Sequence, residues 1–182
     1  MKENIFKSAL LISVLTIIGK IIGFLRTIII AYFFGADSTM DAYNLANGFV
    51  LNVLYALSTA VGLAFLPMYI EKKVNEGERE NAIFSSKILT ATSFLIIVIS
   101  VLVFLNSSLV AKVIAPGYTG VKLKQVAFYL KILSTGMVFS LLTSLLKSIL
   151  DAEKVYGYGA FSGIIFSIIT ILFVILFHNL WG

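Results

Sequence analysis

Lys20 and Arg26 stand inside "TIIGKIIGFLRTIIIAYFFGADSTMDAY", Thr16 to Tyr43, a run otherwise apolar enough to cross a membrane. Arg remains protonated wherever it is placed, and Lys20 is too far from a helix end to snorkel readily. A cation in hydrocarbon costs several kcal/mol unless water, a counter-charge or an anionic ligand meets it. The chemistry these two residues offer is the holding of an anion in a hydrated space within the bilayer. A dry ion pair, for example Arg26 with Asp41, is the structural alternative.

The surrounding spacing belongs to a helix with a front and a back. At about 100° per residue, Gly19, Arg26, Gly23, Thr16, Thr27, Lys20, Ser13 and Ala31 share an arc of roughly 140°. Ile17, Ile18, Ile21, Leu25 and Ile28 take the other side. The next apolar segment repeats the design: Asp41, Asn44, Gly48, Asn52, Tyr55, Thr59 and Gly62 fall within roughly 80° of one another. Lys20, Arg26, Asp41, Asn44 and Asn52 are therefore the candidate substrate-binding residues. Gly19, Gly23, Gly48 and Gly62 are the candidate helix-packing positions; Gly19 and Gly23 form a G-x-x-x-G pair that lets helices approach closely. A weaker stripe, Gly136, Ser140, Thr143, Ser144, Lys147 and Asp151, lies further along. There Lys147 and Asp151 are spaced for an ordinary ion pair.

The elements that must carry these stripes are membrane spans. The chain has 182 residues, 59% hydrophobic and 13% charged, more apolar than a soluble domain of this size can bury. With spans of about 20 residues, five candidates appear: 8–34, 42–70, 88–105, 126–150 and 158–177. Together they make an all-α polytopic protein and one transmembrane domain, 1–182. The second exceeds one perpendicular crossing, and Pro67 near its end is a candidate bend. The third and fifth are almost wholly apolar and read as lipid-facing scaffold.

Net charge is +5, with the basic residues mostly in connections. That points to membrane topology and anionic lipid, not to nucleic acid. Lys2 and Lys7, the Glu71–Lys87 connection and the Asp151–Gly159 connection predict a cytoplasmic N-terminus, leaving "GADSTMD" and "NSSLVAKVIAPGYTG" outside. The Glu71–Lys87 segment alternates charge and reads as a solvated turn. The positive N-terminus and its long apolar run read as a retained first span rather than a cleaved signal. With five spans the C-terminus is expected outside.

Cysteine is absent, and His178 is the only histidine, so no thiol chemistry, metal site or cofactor is expected; His178 reads as an interfacial residue. No Ser-His-Asp set, paired catalytic carboxylates, H-E-x-x-H or phosphate-binding Gly loop is present. Cations without a catalytic partner suit holding and moving an anion, not cleaving it.

"GKIIGFLRTIIIAYFFGADSTMDAY" resembles the first-span signature of the MurJ/MviN lipid II flippase family. "AFLPMY" is similar to the end of that family's second span, "APGY" to its outer loop after span three, and "LDAEKVYGYGAF" to the junction of spans four and five. The resemblance implies the multidrug/oligosaccharidyl-lipid/polysaccharide exporter fold, of which this chain would form part of the N-terminal lobe. It also implies alternating-access movement of a lipid-linked cell-wall precursor across the bacterial cytoplasmic membrane. Cavity cations would receive the pyrophosphate, with Lys20 and Arg26 at the two first-span arginine positions and Asp41 at the acidic position opening span two. Thr27 stands where the family has Asp, Ser58 replaces a carboxylate, and the Arg midway along span two is missing; Leu54 and Tyr55 occupy that region. A related polyprenyl-linked sugar stays open as substrate, as do a non-transporting scaffold and, against the basic first span, a cation/drug antiporter. Five spans make less than one six-helix lobe, so a remaining C-terminal lobe or another copy is an expected partner, beside membrane lipids.

Overall fold

The computed structural model describes residues 2–35, 37–153, 155 and 158–178, with side chains at residue 10 and from residue 13 onward, those of 158–160 excepted. Among the described residues six helices follow in order: α1 (Lys2–Phe34), α2 (Ser38–Asn75), α3 (Glu78–Leu105), α4 (Ser107–Ile114), α5 (Gly120–Ala152) and α6 (Tyr158–Phe177). The described residues contain no strand, as expected in hydrocarbon, where only structures that satisfy their own backbone polar groups can cross. Among the described residues four helices are long and apolar enough to span a membrane, and Phe161–Phe177 is a shorter apolar one. The chain is thus an all-helical, multi-pass membrane protein. It divides into two units, Met1–Asp37 with Glu153–Gly182, and Ser38–Ala152.

In the first unit α1 packs along α6. The half-buried side of α1 carries Leu15, Gly19, Arg26 and Phe33, which lie within roughly 40° on the helix. On α6 the buried residues are Ile164 and Ser167. A Cβ at Gly19 would meet Ile164 Cγ1 at 3.5 Å, an ordinary contact. Gly19→Ala is therefore expected to leave the thermal midpoint of the detergent-solubilised chain nearly unchanged, while Gly19→Leu, which must displace Ile164, lowers it. Equal midpoints for the two variants would show that α6 does not press on this position.

The second unit is built on α2, α3 and α5. Ala42, Ala46, Val50 and Leu54 recur every four residues on α2 and are buried. They meet Val126, Leu130, Met137 and Leu141 of α5 and Ile96 and Val103 of α3 in one cluster. Tyr43 and Tyr129 meet edge to face at 5.6 Å, and Gln125 Nε2 donates to Thr39 Oγ1 at 3.3 Å; both pairs join the N-terminal parts of α2 and α5, which therefore run parallel. Phe65 and Phe84 stack at 6.0 Å, making α2 and α3 an antiparallel hairpin. Ser100 Oγ donates to the Ser134 carbonyl at 2.6 Å, a polar cross-link between α3 and α5 where lipid offers no competing water. Such bonds average about 0.6 kcal/mol in membranes, so Ser100→Ala should cost only a fraction of a kcal/mol in unfolding titrations.

The connections differ from their sequence reading. The Glu71–Lys87 segment is largely exposed but is not a turn along its length: α2 continues through Pro67 to Asn75 and α3 begins at Glu78. The charged ends stay helical because they can project into the headgroup region and beyond while their backbone bonds remain intact. Lys72 Nζ bonds Glu76 at 2.6 Å one turn on and lies 5.6 Å from the Phe84 ring. The reversal is confined to the Glu76–Gly77 junction, where Gly77 has φ 89 and ψ 174, a region open essentially to glycine alone. Gly77→Ala is expected to destabilise the hairpin by about 1–3 kcal/mol, readable as accelerated proteolysis at this turn. The second connection expected outside is not simply a loop either, since it contains α4. The side chains of Lys2, Lys7 and Lys154, on which the inner-face reading partly rests, lie outside the described residues.

Candidate functional site

In the first unit, Lys20 is exposed and Arg26 half-buried on α1. The Arg26 guanidinium carbon lies 5.4 Å from the centre of the Phe166 ring of α6. A ring face attracts the cation through its quadrupole but accepts none of its five N–H groups in a conventional hydrogen bond. Within this unit, among the described residues, no carboxylate lies in salt-bridge reach of Arg26 or Lys20. Thr27 by contrast is satisfied locally, donating to the Gly23 carbonyl at 3.1 Å. The polar front of α1 is thereby split. Gly19 and Arg26 lie toward α6, while Lys20, Ser13, Thr16 and Thr27 are exposed.

In the second unit, the polar stripe of α2 lies about 160° from the centre of its buried face. Asn44, Asn52, Tyr55 and Thr59 are exposed. Nothing stands within 4 Å of a Cβ built at Gly23, Gly48 or Gly62. These three glycines have room beside them, whereas Gly19 alone of the four approaches a neighbour. Asp41 is held by Lys122 Nζ at 3.1 Å, and the same nitrogen lies 4.2 Å from the Tyr118 ring centre. The carboxylate weighed as the partner of Arg26 thus has a cation of its own, 81 residues away in sequence.

Sequence reasoning missed Phe166 and Lys122. The fifth span reads as scaffold, yet it supplies the ring over which Arg26 lies; nothing in an apolar run marks one phenylalanine out. Lys122 counted only as one of several loop cations. His178 packs on Phe33 at 4.2 Å between ring centres. Among the described residues no three His, Cys, Asp or Glu side chains gather as a metal site would need.

In the first unit a cation with open donors lies over an aromatic face, an arrangement suited to an anion; in the second, α2 presents amide side chains away from its core, where they can meet a polar ligand. Neither offers a nucleophile and base. Residues 30–182 match the family described as Lipid II flippase MurJ. The chain belongs to that family. The Rickettsia prowazekii protein named probable lipid II flippase MurJ is 34% identical over 181 residues, covering 97% of this chain and 35% of that protein. A Buchnera aphidicola (Baizongia pistaciae) protein of the same name is 34% identical, with 94% of this chain and 34% of that protein covered. The lipid II flippase MurJ of Burkholderia cenocepacia is 27% identical, with 91% and 33% covered. This chain therefore spans about a third of the length of the MurJ relatives it matches. No solved structure matches it.

Proposed function

We propose that this chain supplies an N-terminal portion of a flippase that carries a lipid-linked cell-wall precursor, a polyprenyl-pyrophosphate sugar of the lipid II type, across the bacterial cytoplasmic membrane. The observation that carries the reading is Arg26: a guanidinium held in an apolar helix with a ring against it and, among the described residues of its unit, no carboxylate beside it. Such a group suits a phosphate, which bidentate N–H donation recognises well. Lys20 is the second phosphate-facing cation. Asn44 and Asn52 serve as neutral donors and acceptors for the sugar. Asp41 acts through Lys122. Gly48 and Gly62 leave room along the same stripe, as Gly23 does on α1, and Gly19 lets α6 close on α1.

The protein is a transporter and not an enzyme, and its N-terminus lies in the cytoplasm. The 182 residues act as one transmembrane domain, completed by a C-terminal lobe or by another copy. A different polyprenyl-linked saccharide unit is the alternative cargo, favoured by Thr27 and by Leu54 and Tyr55 at positions where the family carries charge. The test is depletion of a host's own flippase and expression of this chain, alone or fused to the remainder of a relative. Restored outward movement of the lipid-linked precursor is expected. No restoration by a well-expressed fusion would favour a scaffold that packs helices and moves nothing.

A further inference from the structure

Between Asn106 and Gln125 the chain carries Lys112, Lys122 and Lys124 and not one Asp or Glu. The structure gives these lysines different duties. Lys122 is turned onto Asp41 and Tyr118. Lys112 and Lys124 are exposed, with no ion pair or hydrogen bond of their own among the described residues.

The helix that bears Lys112 is amphipathic. Ser107 and Ala111 of α4 are buried, and their small size lets the helix lie close on α5 and α3. The opposite side carries Leu109 and Val113, 62% and 78% exposed. Val121, in the first turn of α5, is 74% exposed and shares a side of that helix with Lys124 three residues on. On α4, and again on the first turn of α5, exposed apolar side chains therefore stand beside unpaired ammonium groups. This region lies where α3 ends at Leu105 and α5 begins at Gly120, the level at which two membrane-spanning helices leave the hydrocarbon.

We propose that α4 and the first turn of α5 form an interfacial binding surface for anionic phospholipid. Leu109, Val113 and Val121 enter the upper acyl region, and Lys112 and Lys124 receive the headgroup phosphates. Water would leave those apolar side chains exposed, and a neutral surface would leave the ammonium groups without the charge that the acid-free segment attracts. The surface is separate from the Arg26 region and does not depend on the cargo.

The native absence of cysteine makes the test direct. Leu109→Cys, labelled with a small fluorophore, is placed in nanodiscs whose phosphatidylglycerol or phosphatidylcholine carries a nitroxide near the headgroup. Quenching by both lipids is expected, stronger by the anionic one by up to roughly five-fold per lysine. The preference should shrink with salt and vanish in Lys112→Gln/Lys124→Gln, while a label at Leu102 within α3 is quenched alike in all cases. Quenching of the Leu109 label by a water-soluble nitroxide but by neither lipid would overturn the proposal by placing α4 in solvent or under protein. Equal quenching by the two lipids would remove the anionic recognition. A label at Val113 gives the same reading if the Leu109 variant assembles poorly.

Discussion

Arg26→Gln should abolish precursor export while leaving the protein in the membrane at normal abundance. The substitution keeps a planar polar head but removes the charge and most of the donors, so a phosphate at that position loses its counter-charge. Removing one partner of a buried, hydrogen-bonded charge pair costs about 2–5 kcal/mol, which is at least roughly thirty-fold in occupancy. Arg26→Lys keeps the charge but not the fork, and should recover only part of the activity. The readout is rescue of a flippase-depleted host by the chain fused to the remainder of a relative, with membrane abundance measured in parallel. Full rescue by Arg26→Gln would mean that the guanidinium serves the packing of α1 on α6 through Phe166 and nothing more. Accessibility gives an independent check: cysteines at Arg26 and Leu25 should differ sharply in labelling by a polar thiol reagent, and equal protection would remove the hydrated space.

Ala46→Leu should destabilise the protein markedly, and Asn44→Leu, two residues away, hardly at all. Ala46 is 0% exposed and lies within the cluster that joins α2 to α5 and α3. In lipid there is no water to escape, so burial itself gains little and close packing carries the stability. Three extra carbons at the seam would force α2 and α5 apart at a cost of about 1–3 kcal/mol. Asn44 lies on the exposed side of the same helix; there a leucine should leave the thermal midpoint in place yet impair export. The pair separates fold from function on one helix. A stable Ala46→Leu protein would show that α2 and α5 are not held by this seam.

The helical stripes were legible in the sequence because a 3.6-residue period needs no knowledge of partners. The spacing of Asn44, Gly48, Asn52 and Tyr55 predicts a face distinct from Ala42, Ala46 and Val50, and the structure keeps those two faces apart. Helix ends were less legible. Hydropathy stops where charge begins, but the backbone does not, so α2 and α3 run on through residues read as a turn. The helix α4 was hidden by its brevity and by the serines, lysine and neighbouring Pro116 that resemble a loop. The pairing of Asp41 with Lys122 was beyond reach for another reason: it depends on α2 and α5 running parallel, and no local pattern encodes which distant helix will be the neighbour.

The 38 residues of α2 make a rod about 57 Å long at 1.5 Å per residue, against a hydrocarbon layer of about 30 Å. Such a rod acts as a lever. Pivoting it by about ten degrees about its Asp41 end would swing the Lys72–Asn75 end through roughly 9 Å, so a tilt of that size where α2 meets α5 would emerge at the opposite membrane surface as a displacement approaching a helix diameter.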